Sequence, residues 1–582
     1  MKKLSNVALI LLALMSVTCM KNDSSASDAA FQLVSEDFLN GYLAWRPQSA
    51  VYLGLHEYDG KAPDWSKNSI DRELRRLRSF AEKLNTLDTL SMSPRVFYDF
   101  RILRSGLMGE LFSIEEMGSY TKNPMVYAGA LDVNIYIKRD FAPFEERVKS
   151  LIAIERSAPV LFAAAAANLE DSLAKPYVET AIQIANGSAD FLAGDVAAAL
   201  KDLKNDSLKA AFSEANTRAI RELRSFATYL EKAKLPKAHN HFAIGTEKYK
   251  RMLLSGELIS MSPKEILEIG MKQLRKEQDT FNAAAGIIDP KKSPVDVFHE
   301  TQKDHPTAPN LIPDVRKHTE MIRQYVIDHR IVAMPSNVRV KVEETPQYAR
   351  STSTASMDTP GPFEKKATEA YYYVTPVDPK WTAKQKEDWL SMFDYYTTDN
   401  VTVHEAYPGH YTQFLHLNAS SATKIEKIFG SYAFIEGWAH YTEQMMLDEG
   451  FGNTGDPVKA AKYRMAQSGD ALLRLCRLCV SIKMHCEGMS VDEATKFFMD
   501  NWYQGEKPSR QEAIRGTFDP GYLYYTLGKL EILKLREDYR RQEGDRFSLE
   551  QFHNLMLDNG MPPVRLLREL LLKDHSQWDQ IL

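Results

Sequence analysis

The sequence predicts a mainly α-helical protein that carries one small β-sheet, and three observations predict it. Apolar residues recur at three- and four-residue spacing through most of the 582 residues, the mark of amphipathic helices. Strand-like alternation is confined to short runs between Ile331 and Thr375. From Lys384 to the end the helical pattern resumes, punctuated by Gly and Pro. The expected architecture is a large two-lobed helical body with a deep cleft. Its N-terminal lobe spans about 30–330 and its second part about 331–582, with the small sheet beside the cleft.

The N-terminus reads as an address. Lys2 and Lys3 precede the apolar run Val7 to Val17, which is too short for a stable bilayer span and fits a secretory signal over residues 1–18. Cys19 follows Ser16-Val17-Thr18 in a pattern that resembles a bacterial lipoprotein processing site. Residues 19–29 are therefore expected to be a flexible tether on a lipidated Cys19, holding an exported protein in the periplasm or at the outer-membrane surface. No second uninterrupted apolar stretch of membrane-spanning length is apparent, so that lipid is the expected membrane contact.

Helical signals then follow in order. Ala30 to Leu43 is amphipathic, with Pro47 just beyond its end; Asp71 to Leu87 repeats the pattern. Phe144 to Leu203 is rich in Ala and Leu, and Glu214 to Ala233, Pro263 to Ala284 and Pro313 to His329 continue the series. Val338 to Glu343 (VRVKVE) alternates as a strand does, Ser351 to Pro362 reads as a loop, and Tyr371 to Thr375 reads as a second strand before Pro376. As an edge strand, Tyr371 to Tyr373 would be able to pair with an extended peptide.

Composition bounds the function. The chain is 44% hydrophobic and 26% charged with a net charge of −5, and its Lys and Arg are scattered among acidic residues. No basic field invites nucleic acid. Beyond Cys19 the cysteines are Cys476, Cys479 and Cys486, whose successive offsets of three and seven put them on one apolar helical stripe. They are expected as reduced core residues rather than as a metal or disulfide framework.

The chemistry concentrates in His404-Glu405-Ala406-Tyr407-Pro408-Gly409-His410. In the HExxH motif of zinc peptidases one helical turn aligns two imidazoles and leaves the Glu free to take a proton from water. Here the second His falls at i+6, which on an ideal helix misplaces it by ~120° and ~9 Å along the axis. Pro408 has no N–H to give the His404 carbonyl, and Gly409 admits backbone angles closed to other residues. The expected result is a looped-out turn that returns His410 to the metal, after which Gln413, Phe414 and Leu417 resume a helix. Dipeptidyl peptidase III-like enzymes carry a comparable insertion.

A third ligand is required. Glu436, in Phe434-Ile435-Glu436-Gly437-Trp438-Ala439, resembles the Glu-Gly-aromatic-Ala signature in which aminopeptidase N-type enzymes place theirs. His440 and Glu443 share its helix face and are expected to support the ligands from behind. Together HEAYPGH, EGWAHYTE, Asp519 to Leu530 (DPGYLYYTLGKL), Gly544 to Phe547 and Leu53 to Asp59 (LGLHEYD) identify the chain as similar to the bacterial domain-of-unknown-function family 885 over nearly its whole mature length. That family is grouped with the helix-rich zinc peptidases.

The resemblance implies one zinc ion held by His404, His410 and Glu436, with Glu405 as base. The family's Val-Asp-x-Gly-x-His stretch stands here as Val480-Ser481-Ile482-Lys483-Met484-His485; His485 is retained and is expected to point into the cleft. By residue type, Tyr525, and less so Tyr522, would donate to the oxyanion formed during attack, and Arg515 would bind a substrate carboxylate or carbonyl. Tyr524 is expected to pack, and His416 to face away. The expected function is zinc-dependent cleavage of peptide bonds. A zinc hydrolase of a non-peptide amide or ester, and a non-catalytic exported binding protein on the same scaffold, are the alternatives.

Overall fold

The computed structural model describes residues 26–346, 350 and 353–582. The expected signal peptide and Cys19 lie outside the described residues. The helix over 26–45 begins inside the segment expected as a tether.

The chain is mainly helical with one three-stranded sheet. The helices that organise it are numbered in chain order: α1 (Phe144–Arg156), α2 (Lys175–Phe191), α3 (Asp206–Tyr229), α4 (Pro263–Ile288), α5 (Leu311–Asp328), α6 (Tyr395–Glu405), α7 (His410–Ala419), α8 (Tyr432–Asp448), α9 (Pro457–Cys486), α10 (Glu506–Phe518) and α11 (Tyr524–Glu543). Local chemistry starts many of them. Ser262 caps α4 in a capping box with Glu265, and Asp394 accepts from the N–H groups of Tyr396 and Thr397 at the head of α6.

One core is built from α1, α2 and α3 through Leu151, Ala181, Ala219 and Leu223. The stretch Phe144–Asn168 is apolar enough by length and composition to cross a membrane, a feature not expected from the sequence. It is two helices meeting at Ser157, and Leu151, Ile154, Leu161 and Phe162 are buried in this core. A second core joins Tyr249, Leu267 and Phe281 to Leu472, Leu478 and Leu527, and α4 lies along α9 in the most extensive helix–helix interface. Gly270 makes that approach close, since a Cβ there would come 2.3 Å from the Leu478 side chain. A third core gathers α5, the sheet, α6 and α8. Residues 249–326, assigned from sequence to the N-terminal lobe, thus share cores with the C-terminal part.

The strands are β1 (Lys341–Glu344), β2 (Ala355–Asp358) and β3 (Tyr371–Val374). Their order is β1-β3-β2, with β1 parallel and β2 antiparallel to β3. Two sequence expectations are corrected. Residues 355–358, read as loop, are a strand; and Tyr371 to Tyr373 form the central strand, so β2 rather than β3 offers an outer edge. The sheet is fastened to the motif segment: the Tyr372 hydroxyl pairs with Thr402 at 3.2 Å, Val340 N–H donates to the Tyr407 hydroxyl at 3.2 Å, and Tyr411 donates to the Val338 carbonyl at 3.1 Å.

Candidate metal centre

Helix α6 stops at Glu405 and α7 starts at His410. Between them the Tyr407–Pro408 peptide is cis, and the ladder is replaced by wider bonds. Gly409 N–H reaches the Val403 carbonyl at 3.0 Å and Thr412 N–H the Ala406 carbonyl at 3.2 Å. A Cβ on Gly409 would lie 1.8 Å from the His404 carbonyl oxygen, so no side chain fits there. The buried Trp438 indole donates to the Pro408 carbonyl at 3.0 Å and ties the turn to α8. The distortion demanded by the i+6 spacing is present.

Its consequence is convergence. His404 Nε2 and His410 Nε2 lie 3.6 and 3.5 Å from the same Glu436 oxygen, Oε2, and a ligand atom from each of the three lies within 4.8 Å of the others. A tetrahedral zinc with ligands at ~2.1 Å has ligand–ligand edges of ~3.4 Å, and the two histidine–carboxylate edges are close to that length. The imidazoles stand nearly perpendicular, at 89°, with centroids 4.9 Å apart. The donor set of two imidazoles and one carboxylate is one that suits zinc.

Glu436 arrives because two helices cross at glycine. A Cβ on Gly437 would meet Gly528 backbone at 2.5 Å, and one on Gly528 would meet the Ala433 carbonyl at 1.8 Å. Backbone contact between α8 and α11 puts Glu436 and Tyr525 on one wall. Both line an open recess of 340 Å³ with His404, Glu405, His410 and, from β2 and just beyond it, Ser356, Met357 and Thr359. The Glu405 carboxylate makes no hydrogen bond or ion pair with another described residue. Tyr525 stays a donor: burial and the Glu436 charge push its phenol pKa up, outweighing Arg477 and Arg515.

Behind the cluster runs a buried polar chain. His404 Nδ1 is 2.7 Å from Glu443 Oε1, His440 Nδ1 is 3.1 Å from Glu443 Oε2, and Arg474 lies 3.3 Å from Oε1. A carboxylate on Nδ1 makes that nitrogen the donor and turns Nε2 toward Glu436. Burial holds His440 down to about 3, so it is neutral. Burial also opposes charge on His404, but contacts with Glu436 and Glu443 outweigh it and lift the imidazole to about 10; His410, together with His404, holds Glu436 well below the usual carboxylate range despite its burial. His410 Nδ1 is buried and without a partner among the described residues.

Other expected site residues fall elsewhere. His485 does not reach the recess. Its Nε2 pairs with the Gly516 carbonyl at 2.8 Å, Ile244 N–H approaches its Nδ1 at 3.4 Å, and burial lowers it to about 4. The departure at Ser481 explains itself in packing, where its hydroxyl pairs with Tyr249 at 2.6 Å and the Pro520 carbonyl at 2.7 Å. Arg515 sits behind Tyr525, held by Asp519 at 2.9 Å and Tyr432 at 3.2 Å, so it positions the phenol rather than lining the recess. Tyr522 and Tyr524 are buried in a core, and His416 binds Asp558 and the Ala333 carbonyl. Cys476 and Cys479 are buried and reduced, and Cys486 is half-buried. Arg474 and Lys529 were not expected from sequence; a lone Arg inside the apolar run LLRLC was the one signal for the first.

Comparisons with known proteins agree with this architecture. A family model described as a bacterial protein of unknown function (DUF885) matches residues 47–571. A solved structure described as "a putative lipoprotein of unknown function" from Shewanella oneidensis superposes with a TM-score of 0.76 at 25% identity, covering 93% of this chain and 100% of that one. Another, described as "the putative lipoprotein" from Colwellia psychrerythraea, gives 0.76 at 17% identity over 96% and 99% of the two chains, a likeness of fold. Among curated proteins none matches this chain.

Proposed function

The chain belongs to the bacterial DUF885 family, and from that premise we propose that it is an exported zinc-dependent hydrolase of peptide bonds. One observation carries the reading. Two imidazoles and a carboxylate from three helices converge at ion-binding distances beside an unpaired Glu405, in a recess open to solvent. Zinc held by His404, His410 and Glu436 would supply Lewis acidity toward a water molecule and a substrate carbonyl. Glu405 then takes the proton of the attacking water and delivers it to the leaving amine. Tyr525, kept protonated and steadied by Arg515, donates to the carbonyl oxygen as negative charge develops there. The outer edge of β2, whose residues Ser356 and Met357 line the recess, has unpaired backbone groups that suit an extended peptide. A base with no partner favours catalysis over mere binding, since a binding protein has no use for it.

The deciding experiment is mass-spectrometric identification of products from a mixed pool of peptides, acylated amino acids and esters. It is run on metal-analysed protein with and without chelator, and on Glu405→Gln. Peptide products lost with chelator and with Glu405→Gln are expected. Ester products alone would move the reading to the non-peptide alternative, and no products from zinc-loaded protein would end it. Cys19, together with the description of both structural neighbours as lipoproteins, supports lipid attachment. Incorporation of labelled palmitate that disappears in Cys19→Ala is the expected result.

A further inference from the structure

We propose that the protein carries a second ligand site, a recess of 510 Å³ behind the histidine–carboxylate cluster, for a small oxyanion that also bears one O–H group. The recess lies among α4, α8, α9 and α11, on the far side of α8 and α11 from Glu405.

Its walls hold buried polar atoms with nothing to bond. His440 Nε2, Gln467 Nε2 and Thr526 Oγ1 have no hydrogen-bond partner among the described residues, and their side chains are 1%, 1% and 2% exposed. Lys529 is 5% exposed and makes no hydrogen bond or ion pair with another described residue. Buried donors and acceptors are satisfied in folded proteins with few exceptions. Four such groups from three helices on one cavity wall point to something that fills the cavity.

The chemistry of the walls selects the occupant. Lys272 and Lys276 on α4 stand exposed at the mouth without an ion-pair partner among the described residues, Lys529 stands inside, and the opposing carboxylate is Glu277, already bonded by Ser468 at 2.5 Å. Two unpaired cations at the mouth and the buried Lys529 amine inside, against one engaged carboxylate, favour an anion. Lys529 and the Gln467 amide donate to it. His440 does the reverse, because its Nδ1 gives its hydrogen to Glu443 and its Nε2 is left as an acceptor. An oxyanion with one O–H satisfies both requirements, and hydrogen phosphate and hydroxy acids have that form.

The site's position gives it a consequence, which rests on the proposed metal site. An anion beside Lys529 and His440 adds negative charge behind Glu443, whose two oxygens bond His440 at 3.1 Å and His404 at 2.7 Å. Occupancy would therefore strengthen the acceptor behind His404 and tighten zinc, and by linkage zinc would tighten the oxyanion equally.

Titration calorimetry of the metal-free full-length protein with orthophosphate, L-malate and succinate tests the site. Saturable one-to-one binding of phosphate or malate is expected, with succinate, which lacks the hydroxyl, about threefold weaker or more. Lys529→Met should weaken binding about tenfold or more. The surface variant Lys272→Gln/Lys276→Gln should weaken it about threefold, and it decides the matter if Lys529→Met does not fold. No saturable binding of any probe, or full affinity in the folded variants, overturns the site. Repeating the malate titration on zinc-loaded protein separates the two proposals. Tighter malate binding supports the link and equal affinity removes it. Failure to take up zinc counts against the metal site alone, and the malate isotherm of the metal-free protein still decides whether the oxyanion site exists.

Discussion

His404 gives its Nδ1 hydrogen to the buried carboxylate of Glu443 across 2.7 Å, and that bond decides which ring nitrogen faces His410 and Glu436. A ligand whose tautomer and ring plane are held in advance loses little freedom when it binds an ion. Glu443→Gln keeps the shape but not the charge. It should lower zinc affinity about 10- to 100-fold, read by competition with a chromophoric chelator, with circular dichroism unchanged. Unaltered zinc affinity would remove Glu443 as the orienting group.

The crossing of α8 and α11 at Gly437 and Gly528 makes a second prediction. A methyl at Gly528 would lie 1.8 Å from the Ala433 carbonyl oxygen, and the neighbour it meets is backbone, which cannot swing aside. Gly528→Ala should therefore cost about 1–3 kcal/mol of stability. Because the forced separation moves Glu436 relative to His410, it should weaken zinc binding as well. Gly187→Ala is the matched control, with no atom within 4 Å of the added Cβ. Equal melting temperatures for the two variants would refute the close-crossing argument.

Tyr525 separates chemistry from metal binding. It lines the recess with Glu405 but is not one of the three converging ligands. On the proposed peptide chemistry, Tyr525→Phe should lower kcat about 100-fold while zinc affinity and KM change little. A loss confined to KM would reassign the phenol to substrate binding.

What could be read from sequence was what local chemistry decides. Pro408-Gly409 announces a break because ring and missing side chain act within one turn, and the His404, His410 and Glu436 ligand atoms meet as that break requires. The strand Ala355–Asp358 was not legible: four residues without a β-branched or aromatic side chain, set among Ser, Thr and Pro, are too short a signal, and β3 pairs with them. His485 misled for the opposite reason. It stands one turn beyond Ser481 on a long helix, and which face of α9 meets the recess depends on how α4 and α10 pack around it. Gly528 and Arg474 act through partners on other helices, and Lys529 stands out only where four helices enclose it; no spacing within one helix encodes such a meeting.

A last prediction concerns the N-terminal core and is independent of any activity. Glu155 on α1 is fully buried, neither carboxylate oxygen has a partner among the described residues, and burial alone raises its pKa from 4.5 to about 8. In the unfolded chain the same carboxyl titrates near its ordinary value. Below about pH 4.5 both states are protonated and the group is neutral toward folding. As pH rises from there to about 8 the unfolded chain sheds the proton and the folded one retains it, so stability falls through that window. At pH 7 the loss is at most about 3 kcal/mol, since each unit of difference corresponds to 1.36 kcal/mol. Glu155→Gln cannot ionise in either state. Its melting temperature should match that of the parent protein near pH 4.5 and exceed it by a growing margin toward pH 8, in thermal melts taken across that range. A parallel pH dependence in the two proteins would mean that Glu155 is ionised in the folded chain and finds a counter-charge.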